Sequence, residues 1–245
     1  MKLTVLGSGG IFPDPQRGGP AYLLSHHDNH LLLDAGPGAL RALVKAGVAL
    51  DDIDGVCITH QHADHTSELF LILDLERYRL RNRPLWFAGT KIIDQLISFH
   101  RTWGREQQYD IPFPLERLLL PGSGTIGPFK IEARKVPHTK NSIGLRITAG
   151  DRIVVYPGDC GPGKEVIQLA QDADLLILEC TMPSGSPTPS HLTPEDAADV
   201  AQKSGAKKLV LSHFPPTADV DEAVAICRKN GVEVEAAADG MNFSF

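Results

Sequence analysis

The sequence predicts a single α+β domain in which two β-sheets pack face to face with helices outside. Three observations predict it. Apolar runs of strand length occur in both halves of the 245-residue chain, helical stretches are interspersed among them, and no linker divides the whole. With 42% hydrophobic and 22% charged residues, the composition is that of a soluble globular protein able to bury a real core.

Taken in order, Lys2 to Leu6 reads as the first strand, stopped by the breakers between Gly7 and Pro15. Those glycines carry no phosphate-loop signal, because neither a helix pattern nor Gly-Lys-Ser/Thr follows. Ala21 to Ser25 and His30 to Asp34 make a hairpin about His27-Asp28-Asn29, with His26, His27 and His30 as turn and surface residues. Asp34-Ala-Gly-Pro37 opens a helix that ends at Gly47, where glycine suits the left-handed position past a helix end. Gly55 to Thr59 reads as a buried strand. Ser67 to about Arg83 reads as a helix, and its tail from Arg77 carries four arginines. A solvated face is the simpler reading of that tail, and an anion-attracting patch near the site is the sharper one.

Leu85 to Ala88 is a strand, Lys91 to Trp103 a helix, and Tyr109 to Pro114 an extended, proline-punctuated stretch. Strands continue at Leu118 to Leu120, Phe129 to Val136, Ile143 to Thr148 and Ile153 to Tyr156. A helix from Gly163 to Ala173 precedes the continuous apolar strand Leu175 to Glu179. After a polar loop, Thr193 and Pro194 form a helix start, threonine as N-cap and proline at the first helical position. Leu209 to Leu211, Asp221 to Asn230 and Val232 to Ala236 complete the chain as strand, helix and strand.

Chemistry is concentrated just past the buried strand, in His60-Gln61-His62-Ala63-Asp64-His65. Imidazole nitrogens and a carboxylate at such close spacing suit zinc, with manganese or iron as alternatives. The hexapeptide holds more ligands than one catalytic metal with an open position uses, which points to two neighbouring metals sharing a water. His138, Asp159, His191 and His213 also lie at or near strand ends. Thr59-His60 and Ser212-His213 each place a hydroxyl before a histidine, so Thr59 and Ser212 are candidate partners for the ligands.

The bulk properties exclude other classes. A net charge of −6 advertises no global basic field, so any nucleic-acid contact would be local. Cys57, Cys160, Cys180 and Cys227 form no CxxC pair and read as free thiols in a reducing compartment. No signal-peptide pattern and no bilayer-length apolar run is visible, which predicts a cytoplasmic protein without a membrane partner.

The series His60-x-His62-x-Asp64-His65, His138, Asp159 and His213 resembles the ligand series of the metallo-β-lactamase-fold hydrolases. The resemblance covers nearly the whole chain, including Leu-Gly-Ser-Gly at residues 6–9 and Leu-Leu-Leu-Asp-Ala-Gly at residues 31–36. It implies a four-layer αββα sandwich of two mixed sheets with the metals at one edge. It also implies that His60, His62 and His138 hold one zinc, that Asp64, His65 and His213 hold the other, and that Asp159 bridges both. True β-lactamases of this fold typically have cysteine at the bridging position, so Asp159 argues against antibiotic hydrolysis.

Within that superfamily, Glu179-Cys-Thr181 and His191-Leu-Thr193 are similar to motifs of the ribonuclease Z and cyclic phosphodiesterase branch. The resemblance implies a phosphodiesterase, acting on RNA ends or small cyclic phosphates, that uses a hydroxide shared by the metals. Asp64 would orient or deprotonate the water, His191 would be the acid that protonates the leaving group, and Glu179 would orient His191. The long tRNA-gripping arm usual between the third histidine motif and the bridging aspartate has no room between His138 and Asp159. A hydrolase of another ester, such as a lactone, thioester or sulfate ester, is the alternative on the same metals. Relatives are often dimers, so a homodimer is one state to test.

Overall fold

The computed structural model describes residues 1–79, 81–102 and 113–245, and the backbone alone at 76–79. The first half of the chain contains β1 (Lys2–Gly7), β2 (Ala21–His26), β3 (Asn29–Leu33), α1 (Ala39–Lys45) and β4 (Ile53–Cys57). After these come α2 (Ala63–Thr66), α3 (Leu69–Arg79), β5 (Leu85–Gly89), α4 (Ile92–Thr102) and β6 (Leu115–Leu119). The second half opens with β7 (Gly122–Ile126), β8 (Phe129–Lys135), β9 (Ile143–Ala149), β10 (Arg152–Tyr156) and α5 (Lys164–Leu169). It ends with β11 (Leu175–Glu179), α6 (Pro194–Ser204), β12 (Leu209–Ser212), α7 (Val220–Lys229), β13 (Val234–Ala236) and β14 (Asn242–Ser244).

The described strands form two mixed sheets of seven, ordered β14-β1-β2-β3-β4-β5-β6 and β13-β12-β11-β10-β9-β8-β7. Side-chain alternation decides the layering. Leu31 and Leu33 of β3 join Ile131, Leu145, Val154, Leu175 and Ile177 in the core between the sheets. Leu32 points the other way, into a core shared with Leu43, Leu69, Ile72 and Ile97 of the helices over the first sheet. Leu176 and Leu178 of β11 face a third core with Val166, Leu169, Ala197, Val200 and Cys227. A strand buried on both faces has no polar positions to alternate, which is why these runs read as continuously apolar. The result is the αββα sandwich.

Several elements differ from the sequence expectation. The helix expected at Asp34 begins only at Ala39, because Asp34 itself has φ 56° and turns the chain away from β3. The helix expected from Ser67 begins at Leu69 as α3, and a short helix that the sequence reading missed, α2, precedes it and holds Asp64 and His65. β7 and β14 escape the sequence pattern because one is glycine-rich and the other is three residues long. Arg81 is buried and donates to the carbonyls of Ile53, Arg83 and Pro84, while Arg83 pairs with Asp54 at 2.8 Å. Arg81 and Arg83 thus tie the segment before β5 to the start of β4, and the side chains of Arg77 and Arg79 lie outside the described residues. The extended stretch expected at 109–114 lies outside the described residues up to 112. The capping of α6 follows expectation, with Thr193 accepting from the Asp196 amide and Pro194 next. Among the described residues no helix is long and apolar enough to cross a membrane.

Gly36 shows how tightly the ligand loop is backed. A Cβ there would lie 2.2 Å from the Asp64 carbonyl oxygen and 2.6 Å from the Gly19 backbone. Gly36→Ala must displace backbone on one side or the other. We expect a loss of about 1–3 kcal/mol, the usual cost of overpacking, with weakened metal binding at Asp64. A thermal melt with a zinc titration checks this, and unchanged values for both would refute the close approach.

Candidate metal centre

One end of the sandwich gathers the polar residues that the sequence scatters. β4 delivers Thr59 and His60, the following turn and α2 deliver His62, Asp64 and His65, and β8 leads to His138. β10 leads to Asp159 and β12 to His213. Two groups result, His60, His62, His138 and Asp159, and Asp64, His65, Asp159 and His213, with ligand atoms within 4.8 Å of one another in each. Asp159 belongs to both through different oxygens. Its Oδ2 lies 3.8 Å from His60 Nε2 and from His138 Nε2, whereas Oδ1 lies 3.1 Å from His65 Nε2 and 3.2 Å from His213 Nε2. Asp64 Oδ2 is 3.4 Å from His213 Nε2 and 3.7 Å from His65 Nε2.

The second contacts of each imidazole fix which nitrogen is free. Asp34 is fully buried and accepts from the Thr59 amide at 2.8 Å, the Thr59 hydroxyl at 2.8 Å, the Tyr156 hydroxyl at 2.7 Å and His65 Nδ1 at 2.7 Å. Nδ1 of His65 is therefore committed to Asp34, and Nε2 is the nitrogen turned toward Asp159 and Asp64. The Thr59 proton goes to Asp34, so the Thr59 oxygen accepts from His60 Nδ1 at 3.1 Å and His60 Nε2 is left as an acceptor. The Ser190 carbonyl, which can only accept, takes the proton of His138 Nδ1 at 2.9 Å. Thr181 holds His213 Nδ1 at 2.9 Å. These contacts set ring orientation as they do around bound metals.

The donor set fits divalent cations. His60 Nε2 and His138 Nε2, both lone-pair nitrogens, face His62 Nδ1 at 2.9 and 3.2 Å, and that nitrogen carries at most one proton. Buried His65 Nε2, His213 Nε2 and Asp159 Oδ1 approach closely without hydrogen-bonding geometry and have no partner. Orphaned buried polar atoms are rare and costly, and a cation satisfies all of them at once. Burial, together with the charge of His65, pushes the His60 pKa down, and burial with His138 does the same for His62, which keeps both in the neutral form metals need. Burial would raise the Asp159 pKa, but His213 and His65 hold it well below the usual carboxylate range.

His191 stands at the edge of both groups. Its ring centroid is 4.8 Å from that of His138 and 6.4 Å from that of His213. Nδ1 bonds Glu179 Oε1 at 2.7 Å, and Glu179 also accepts from the amides of Cys160, Thr181 and Leu192. Burial pulls the His191 pKa down, but the hydrogen bond and charge of Glu179 leave it above the ordinary value.

All nine candidate residues thus lie in one place, and Glu179 touches His191 as the sequence reading has it. Ser212 does not touch a ligand; its hydroxyl accepts from Tyr22 at 2.7 Å inside the core. Asp34, Thr181 and Ser190 are partners that sequence reasoning missed. Asp34 carries one signal, a lone aspartate ending an apolar strand, but the same residue reads equally well as a helix start. We expect Asp34→Asn to place an amide donor against donors, costing on the order of 3 kcal/mol. Zinc affinity should fall by about 10–100-fold, since His65 loses its orientation. Calorimetric zinc titration and a melt of the metal-free protein test this, and wild-type values in both would sink it.

Comparisons with known proteins agree with this geometry. A family model described as beta-lactamase superfamily domain matches residues 29–214. A Bacillus subtilis protein named probable metallo-hydrolase YhfI is 29% identical over 223 residues, covering 88% of this chain and 87% of that one. Its crystal structure superposes with a TM-score of 0.87 at 26% identity, covering 99% and 98% of the two chains. A ribonuclease Z of Archaeoglobus fulgidus is 25% identical over 270 residues, covering 87% of each. The crystal structure of human tRNase Z, short form, has a TM-score of 0.82 at 26% identity and covers 100% of this chain and 99% of its own.

Proposed function

Because the chain belongs to the beta-lactamase superfamily, we propose that its two ligand groups hold two divalent metals, zinc first, and that it hydrolyses phosphodiesters. His60, His62 and His138 would hold one ion, Asp64, His65 and His213 the other, and Asp159 both. When bound, two such ions would lower the pKa of water from ~15.7 towards ~7 and would offset charge on the phosphoryl oxygens.

The chain's own residues do the rest. Asp34, Thr59, Ser190 and Thr181 hold the imidazole rings so that their free nitrogens converge. Glu179 keeps a proton on His191 Nδ1, and with a second proton at Nε2 the imidazolium can protonate a departing alkoxide. The observation that carries the phosphodiester reading is this acid beside the two ligand groups and outside them. An alkoxide leaving group needs a proton, and His191 is placed to give one. The named ribonuclease Z and tRNase Z relatives support the same class.

The test is a reconstituted sample in which elemental analysis should find about two zinc ions per chain. Bis(p-nitrophenyl) phosphate should be cleaved faster than p-nitrophenyl sulfate or a lactone. Saturation at one ion, or turnover of the other esters alone, would overturn the reading. The interval from His138 to Asp159 holds only β9, β10 and their turns. With no arm there to grip a tRNA elbow, precursor tRNA should be no better a substrate than a short single-stranded RNA. A clear preference for the precursor in competition cleavage would refute that.

A further inference from the structure

We propose that a cationic groove beside the metal centre binds the chain of a single-stranded oligonucleotide. This deepens the phosphodiesterase reading and rests on it for the substrate class. The groove is a cavity of about 950 Å³ between the loop after β1, helix α1 and the turn that leads into β14. None of the ligand residues lines it, but two of its lining glycines pack against the site. Gly10 lies so close to His213 that a Cβ there would be 2.9 Å from the ring, and a Cβ at Gly19 would be 3.1 Å from the Asp64 carbonyl.

Lys2, Arg17, Arg41 and Lys45 line the groove from three different elements. Arg41 and Lys45 are one helical turn apart on α1, both exposed, and so present a short row of charge along one wall. Cations spaced along a wall, rather than converging on a point, suit a polyanion better than a single phosphate. Two acidic residues also line it. Asp239 is engaged by the Ser8 amide, the Ser8 hydroxyl and the Gly18 amide, and Asp14 caps the Gln16 amide. The row stands out because the whole chain carries −6.

Beside the cations the loop exposes two large apolar side chains, Ile11 and Phe12, each 64% accessible. The loop that carries them is pinned. Arg17 donates to the Ser8 hydroxyl and the Ala237 carbonyl and lies over the Phe214 ring, so Ile11 and Phe12 are held out from a fixed base. A groove of phosphate-tracking cations with an exposed aromatic for a base to stack on is how proteins hold single strands without reading sequence.

The test is fluorescence anisotropy with a fluorescein-labelled, cleavage-resistant 2′-O-methyl oligouridylate twelve-mer and the zinc-loaded protein. The double variant Arg41→Glu/Lys45→Glu should bind at least tenfold more weakly. The slope of log affinity against log salt should fall by roughly 1.4, about 0.7 for each single-strand phosphate that is no longer neutralised. Phe12→Ala should weaken binding by roughly tenfold with an unchanged salt slope, because stacking is not ionic. Melting temperature and zinc content of each variant verify that the fold is kept. Wild-type affinity in the charge-reversed variant, equal binding of a duplex, or no binding by the wild type would overturn the proposal. Hydrolysis of bis(p-nitrophenyl) phosphate by the wild type separates the two readings. Activity without groove-dependent binding sinks this inference alone, and binding without activity on any phosphodiester sinks the proposed function.

Discussion

Asp159→Ala is expected to remove both metals together rather than one. Its two oxygens face different histidine pairs, so no other ligand links the two groups so directly. Without it each group keeps three ligands, but the negative charge between them is gone. Two divalent ions held close together then repel without a shared anion. Zinc bound after dialysis should fall from about two per chain to well under one, and turnover by on the order of a thousandfold or more, since nucleophile and charge stabilisation are lost at once. Stability supplies a second readout. A ligand at a hundred times its Kd stabilises the native state by about 2.7 kcal/mol, so the wild type should melt higher with zinc and the variant should show almost no shift. His62→Ala is the contrast, because it removes a ligand from one group only and should leave about one ion. If Asp159→Ala instead retained one tightly held zinc, the carboxylate would serve a single ion.

How far such a site can be read from sequence depends on how local its contacts are. The hexapeptide from His60 is legible because its ligands lie within one turn after a strand, where spacing alone brings side chains together. Strands such as β11 are legible because burial on both faces leaves an unbroken apolar run. Asp34 is not, since its donors come from residues 59, 65 and 156, and nothing near Asp34 in the sequence announces them. Thr181 and Ser190 escape for the same reason: each reaches a histidine more than thirty residues away, in another motif. Ser212 misleads in the opposite direction. Ser212 is still within β12, where successive side chains point to opposite faces, and it meets Tyr22 in the core, whereas Thr59 lies past the end of β4 and reaches His60. The positive φ of His213, 59°, then turns the chain so that the histidine meets the site.

His191→Ala should keep both metals and lose phosphodiester hydrolysis by roughly a hundredfold, the usual scale of general acid catalysis. It is no member of either ligand group, and its Nδ1 is committed to Glu179, so only Nε2 can serve a substrate. The loss should depend on the leaving group. A ribose alkoxide is a strong base and cannot depart without a proton, whereas p-nitrophenolate departs with little help. The variant should therefore be crippled on a dinucleotide and only mildly slowed on bis(p-nitrophenyl) phosphate. Glu179→Gln should show the same pattern more weakly, because an amide oxygen still accepts from Nδ1 but no longer supports the positive charge. Equal losses on both substrates would mean that His191 binds or shapes the site and transfers no proton. Loss of zinc from His191→Ala would make it a ligand, and the division drawn between the metal groups and the acid would be wrong.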